Sequence, residues 1–195
     1  MGIEYIQHCQ IGDLGLSQPA NITPLNNEIY GVIPYIAPEI FTGATFSKES
    51  DIYSFAMIMW ECTTGSKPFS NVKHDTGLIY SIIDGKRPEF TNDTPECIIN
   101  LMKRCWHNDP TERPSITEIR EMLGHFYFRN DYTGIFNQAE QKRLELINLK
   151  KLGPEFSEKP HSKAIYTSRP LRSLISKSST TNSMILFNQG MCKKN

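Results

Sequence analysis

Four short groups of residues between positions 13 and 114 carry the side chains that could do chemistry. Each group combines a charged side chain with glycine, proline or aromatic neighbours, and the groups are Asp13–Gly15, Tyr35–Glu39, Ser50–Phe55 and Cys105–Pro114. A carboxylate such as that of Asp13 is the oxygen donor that a hard cation requires, although an isolated Asp-x-Gly is usually only a turn. Any one group alone is therefore a weak indication of function, and the four have to be considered together.

In this order and at this spacing, the groups resemble the C-terminal half of a eukaryotic protein kinase domain. The similarity is nearest to the tyrosine-kinase-like group and covers residues 13 to about 126. Asp13–Gly15 resembles the D-F-G motif with Leu14 in place of phenylalanine, and Glu39 ends a copy of the A-P-E motif. The resemblance implies a signalling transferase that phosphorylates protein serine and threonine hydroxyls with MgATP, and it leaves tyrosine open as an acceptor.

The resemblance assigns the cofactor contacts to the first group. In kinases the aspartate of D-F-G ligates the magnesium ions that bridge the ATP phosphates, so Asp13 is the implied metal ligand. Gly15 supplies backbone freedom beside it, which makes Asp13 and Gly15 the implied cofactor-binding residues. ATP and magnesium are thus the implied cofactors, and protein substrates are the implied partners.

Residues 13–39 correspond to the activation segment of the family. Its candidate phosphate acceptors, none favoured over an ordinary surface hydroxyl, are Ser17, Thr23 and Tyr30. The platform that lies under the substrate's acceptor residue resembles Gly31, Val32, Ile33, Pro34 and Tyr35. Val32 stands where serine/threonine kinases usually carry a threonine that contacts the catalytic loop, so the preferred substrate hydroxyl stays open.

Three charged residues have structural roles by resemblance. Glu39 is expected to pair with Arg113, because a buried charge without a partner destabilises a protein by several kcal/mol. Asp51 is expected to accept backbone amides of the catalytic loop and to be buried, and the simpler alternative is an acid in the first turn of a helix.

Much of what a kinase needs for phosphoryl transfer does not occur in residues 1–195. In the family the glycine-rich loop, the strand lysine and the catalytic loop precede D-F-G, and residues 1–12 contain no H-R-D sequence. No catalytic residue is therefore assigned, and the chain as it stands is expected to be inactive. It is either a fragment of an active kinase, which the position of Met1 favours, or a non-catalytic kinase-derived module that binds proteins.

Hydrophobic periodicity predicts the elements that position these groups. Helices are expected from Ser47 to Gly65 with apolar residues all round, from Asp75 to Asp84, from an N-cap at Thr94, from a capping box at Ser115–Glu118, and over residues 135–152. The inward face of the fourth helix is predicted to be Ile116, Ile119, Met122 and Leu123. The fold class is mainly α: a kinase C-lobe helical bundle with a short N-terminal strand or hairpin over residues 3–11 and a long activation-segment loop.

The chain divides into a partial kinase domain (1–128), an amphipathic helix or linker (129–152) and a tail (153–195). From Gly153 onward there are seven Lys or Arg and two acids, a net charge of 7 − 2 = +5, among many serines and threonines. This composition predicts a basic, disordered tail.

Composition excludes several classes of protein. The formal net charge is 0, which disfavours a nucleic-acid partner. The longest apolar run, Phe55–Trp60, is too short to span a membrane. Five cysteines without a C-x-x-C pair predict a reducing, cytoplasmic compartment, and Cys62, Cys97 and Cys105 are expected to be packed in helices. The oligomeric state stays open.

Overall fold

The computed structural model describes residues 29–128, 132–151, 153–154 and 160–175. Its helices are α1 (Pro38–Phe41), α2 (Lys48–Thr64), α3 (Thr76–Ile83), α4 (Glu96–Cys105), α5 (Ile116–Phe128) and α6 (Thr133–Asn148). Two short strands, β1 (Tyr30–Gly31) and β2 (Arg169–Pro170), form an antiparallel pair. The described part is mostly helical, as predicted, and the expected strand over residues 3–11 lies outside it.

Helix α2 runs through the centre of the molecule and has the predicted ends. Ser47 caps it in a capping box with Ser50, so that each side chain accepts a hydrogen bond from the other residue's backbone N–H. Gly65 ends it in the left-handed conformation, with φ of 66°. Both ends of α2 are therefore fixed by residues that flank it directly in the sequence.

The hydrophobic core forms around one side of α2. Trp60 is fully buried, and its indole N–H donates to the backbone oxygen of Glu89. Buried residues of the other helices, and of the segments that flank them, complete the core: Ile33, Ile36, Ile40, Phe41, Ile79, Ile82, Leu101, Met102, Cys105, Trp106 and Ile119. The prediction that α2 is buried all round is wrong for Ile58, which is 51% exposed, and for Cys62, which is also exposed.

The next three helices follow their predictions with two corrections. Asp75 caps α3 through a hydrogen bond from Gly77, and Ser115 and Glu118 form the capping box of α5. Helix α4 begins one residue later than expected, with Pro95 rather than Thr94 at the N-cap. Ile116, predicted to face inward, is 63% exposed, because the first turn of α5 projects beyond the core that Ile119 enters.

Helix α6 forms where an amphipathic helix was expected, although it has no buried residue. Leu144 and Ile147 of its apolar stripe are 48% and 41% exposed. Near its start, the Tyr132 ring contacts the Phe126 ring of α5 edge-on, with centroids 4.9 Å apart. Among the described residues, no helix is long and apolar enough to cross a membrane.

One described part of the tail departs from its prediction. Residues 160–175 are not disordered: β2 pairs with β1, and Leu171 is fully buried in the core. Leu174 and Ile175 pack beside it as partly buried residues. Composition failed here because a few apolar side chains and backbone hydrogen bonds suffice to dock a polar segment on a preformed surface.

The glycine that ends α2 and the glycine inside α5 allow a matched test of glycine. Gly65→Ala should destabilise the protein by about 1 kcal/mol, because a Cβ is strained at positive φ even where space is open. Gly124→Ala, in the interior of α5 with no atom within 4 Å of the new Cβ, should stabilise it by about 1 kcal/mol. Urea unfolding of both variants measures the difference, and a loss of stability in both would contradict it.

Candidate functional site

Residues 29–36 form a narrow ledge against α2, which we call the platform. After β1 the chain makes one 3-10 turn at Ile33–Tyr35, whose Ile33 and Pro34 are buried. Glycine suits position 31, because its φ of 157° is rarely adopted by other residues and a Cβ would lie 2.7 Å from Cδ1 of Ile36, whose side chain would have to shift. The platform is thereby held close to the core with its outer edge, Tyr30, 47% exposed.

Tyr35 ties the platform to α2 through two contacts. Its backbone oxygen accepts a hydrogen bond of 2.7 Å from the Ser54 hydroxyl, and its own hydroxyl donates to the carboxylate of Glu61. Burial and, second, the Glu61 carboxylate raise the pKa of Tyr35 well above its usual value, so the phenol stays protonated and remains a donor. The sequence patterns gave no role to Ser54 or Glu61, because both are ordinary polar residues within an apolar helix.

The segment that follows the platform is fastened by a buried ion pair. Arg113 donates from both terminal nitrogens to the two carboxylate oxygens of Glu39, at 2.7 and 2.8 Å. The Arg113 side chain is 0% exposed and that of Glu39 is 15% exposed. The pair expected from the resemblance is therefore present, and its two-pronged geometry is the strong form of such a contact.

Arg113 also joins two other parts of the chain. It donates to the backbone oxygens of Glu49, at the start of α2, and of His107, after α4, both at 2.9 Å. Its guanidinium lies 5.4 Å from the ring centre of Tyr53. Burial raises the pKa of Tyr53 to about 12, and its hydroxyl has no hydrogen-bond partner in the described part of the chain.

Asp51 does not have the buried position that the resemblance suggested. It lies in the first turn of α2, where the structure leaves it exposed. Partial desolvation raises the pKa of its carboxyl, and no hydrogen bond to it is present among the described residues. The simpler reading, an acid near a helix N-terminus, accounts for this geometry, and the catalytic-loop role stays a prediction.

The structure brings together only part of the predicted site. The platform contains five of the predicted residues: Tyr30, Gly31, Val32, Pro34 and Tyr35. The Glu39–Arg113 pair lies in and against α1, the helix that follows the platform. Asp13, Gly15, Ser17 and Thr23 lie outside the described residues. In the part of the chain that is described, no three His, Cys, Asp or Glu side chains are placed to hold a metal ion.

His74 and residues 161–171 were missed by the sequence analysis. His74 is 2% exposed and both of its ring nitrogens have backbone partners, Ile165 and Phe69. A histidine in a loop gives no local signal of such a role. The docked tail segment lies along the outer edge of the platform, at Ile29–Gly31.

Arg113→Ala should lower the stability by about 3–5 kcal/mol, because the Glu39 carboxylate would be left buried without its partner. That loss corresponds to a fall of roughly 10 °C in Tm for a chain of this size. The matched control is Arg143→Ala, which removes a two-pronged contact to Glu140 at the surface. The side chains of Arg143 and Glu140 are 42% and 52% exposed. The control should change stability by less than about 1 kcal/mol; equal losses in thermal unfolding would contradict the assignment.

Comparison with known proteins gives the same family as the motifs. The sequence model of the family described as protein tyrosine and serine/threonine kinase matches residues 3–123. Human mitogen-activated protein kinase kinase kinase 7 is 33% identical over 117 residues, 60% of this chain and 19% of that protein. Human receptor-interacting serine/threonine-protein kinase 1 is 31% identical over 160 residues, 72% of this chain and 24% of that protein.

A probable serine/threonine-protein kinase of Dictyostelium discoideum is 31% identical over 150 residues, which are 71% of this chain and 8% of that protein. The chain thus spans a quarter or less of the length of these relatives. The family match nevertheless covers more than half of the chain and contains all four motif groups. The chain belongs to the protein tyrosine and serine/threonine kinase family.

Proposed function

We propose that this chain forms the substrate-binding part of a protein kinase C-lobe and that its own 195 residues do not transfer phosphate. The observation that carries the proposal is the platform, which Tyr35 fastens to α2 and the Glu39–Arg113 pair fastens to the helices below. A rigid segment whose edge is a short strand, β1, is suited to pair with an extended protein segment. Its role is to position a protein hydroxyl for the family's reaction.

In that reaction MgATP supplies the phosphoryl group. The described residues do not fit a nucleotide site by themselves, because they contain no set of side chains placed to hold a metal ion and Asp13 lies outside them. The contribution of this chain's described residues is therefore to bind and orient the protein. Asp13 and Gly15 remain the proposed contacts to magnesium and ATP.

The acceptor hydroxyl and the regulatory sites follow from the same platform. Val32 lacks the hydroxyl of the threonine that serine/threonine kinases usually carry at this position. Two of the relatives, however, are serine/threonine kinases by name. Serine or threonine is the proposed acceptor. Of the three proposed phosphorylation sites, Tyr30 is 47% exposed at the platform edge, and Ser17 and Thr23 lie outside the described residues.

A second candidate is a non-catalytic module that binds a protein without leading to phosphorylation. It is supported by the same platform, which among the described residues is held by contacts to α2 and to residues 169–171. Residues 1–128 would supply the binding surface, and residues 129–152 a helix that exposes most of its apolar stripe. A cytoplasmic location stays a prediction for both candidates.

Titration with MgATP distinguishes an inactive platform from a complete enzyme. We expect no change in Tm of the purified chain at millimolar MgATP or magnesium, and no transfer of labelled phosphate to dephosphorylated β-casein, because most partners of adenine and phosphate are missing. Binding of ligand at 100 times its Kd would stabilise the protein by about 2.7 kcal/mol, a readily measured shift.

Asp13→Ala is the matched control for this titration. A rise in Tm with MgATP that is lost in Asp13→Ala would show a functioning nucleotide site and contradict the proposed inactivity. A rise that persists in Asp13→Ala would place nucleotide elsewhere and contradict the proposed role of Asp13.

A further inference from the structure

The C-terminal segment of residues 161–171, which we call the strap, follows the outer edge of the platform. Its last part pairs with β1 in antiparallel register, Tyr30 opposite Pro170 and Gly31 opposite Arg169. The Leu171 N–H continues the pairing and donates to the backbone oxygen of Ile29 at 2.8 Å. The exposed edge of the platform is therefore occupied by this chain's own tail.

The first part of the strap lies along the loop of residues 67–74, between α2 and α3. The His161 N–H donates to the backbone oxygen of Ser70 at 2.7 Å, and the His74 N–H donates to the backbone oxygen of Lys163 at 3.1 Å. The Ile165 N–H lies 3.1 Å from Nδ1 of His74, which can accept it while Nε2 donates to the oxygen of Phe69. These contacts involve the backbone of the strap, so they do not depend on its side chains.

Three strap side chains add selectivity to the backbone contacts. Tyr166 donates to the backbone oxygen of Pro68 at 2.8 Å and packs edge-on against the His74 ring, with centroids 4.8 Å apart. Arg169 donates to the backbone oxygen of His74 at 2.6 Å. Leu171 is 0% exposed in the core. The surface formed by the platform edge and the loop of residues 67–74 therefore favours an extended segment that carries an aromatic residue, then an arginine, then a buried aliphatic residue.

Among the described residues, no ion pair holds the strap. The Lys67 ammonium makes a cation–π contact with Tyr166, 4.8 Å from the ring centre, and the strap's own Lys163 and Arg169 are cationic as well. Backbone pairing and one buried leucine hold the strap, which is the way in which a peptide adds a strand to an exposed sheet edge. Another extended segment could make the same backbone contacts.

We propose that residues 161–171 act as an autoinhibitory strap that covers the edge of the platform, and that a protein substrate or partner must displace it. The proposal rests on the proposed function, since it is the platform's use by a protein that the strap would prevent. Because the strap is tethered, it competes at an effective concentration in the millimolar range, which a weakly binding free segment does not match.

The test uses the full chain with the strap released by Leu171→Asp, because a carboxylate in the site of Leu171 would be buried without a partner. Ser173→Asp is the matched control, since it adds the same charge two residues away at an exposed position. The probe is a fluorescent peptide of residues 160–175 with the natural sequence, followed by anisotropy. We expect it to bind Leu171→Asp at least about tenfold more tightly than the natural chain or Ser173→Asp.

A milder pair guards against misfolding of Leu171→Asp. Tyr166→Ala removes one hydrogen bond and a ring contact from a half-buried position, whereas Thr167→Ala alters an exposed neighbour. Loss of about 1.4 kcal/mol of docking would raise the apparent peptide affinity of Tyr166→Ala about tenfold over Thr167→Ala. Equal peptide affinity of the folded variants and their controls would overturn the strap.

A second probe, dephosphorylated β-casein, separates this proposal from the function on which it rests. Tighter binding of casein to Leu171→Asp than to Ser173→Asp supports the autoinhibitory role. Equal binding to both, together with peptide binding to Leu171→Asp, overturns the autoinhibition and leaves the platform as a protein-binding surface. Binding of casein to neither variant overturns the proposed platform and, with it, the autoinhibition.

Discussion

The buried guanidinium of Arg113 is the contact on which the rest of this structure depends. Its donors are shared among the carboxylate of Glu39 and the backbone oxygens of Glu49 and His107, which belong to three separate parts of the chain. A fully desolvated cation has to be neutralised and hydrogen-bonded in full. The end of the platform segment, the start of α2 and the turn after α4 are therefore held together by one side chain.

The platform depends on this ion pair, and its short strand has a backbone edge that must be paired or solvated. A short extended segment held on the surface exposes backbone groups that can pair with another strand. In this chain the edge at Tyr30 and Gly31 is paired with Arg169 and Pro170. The same geometry that makes the platform suitable for an extended protein segment thus makes it suitable for the chain's own tail, and the tail has the advantage of being covalently attached.

Three residues of α2 depart from the pattern of a fully packed central helix. Ile58 is half exposed, the Asp51 carboxyl accepts no hydrogen bond among the described residues, and the buried Tyr53 hydroxyl has no partner there either. Each lies on or next to the helix that the resemblance places at the centre of a C-lobe. Helix α2 is therefore packed and joined to the platform on one side, whereas Ile58 and Asp51 are exposed at its surface.

The local features of this protein could be predicted from short stretches of its sequence. The limits of α2 could be read from Ser47 and Gly65, and the start of α5 from Ser115 and Glu118, because capping acts between residues within one turn. The Glu39–Arg113 pair came only through the family resemblance, since nothing local links positions 74 residues apart. The exposure of Ile116 and the docking of residues 160–175 depend on the packed helices and could not be read from local sequence. Backbone pairing between residues 29–31 and 169–171 needs no particular side-chain pattern, and its free energy depends on a surface that exists only after the helices have folded.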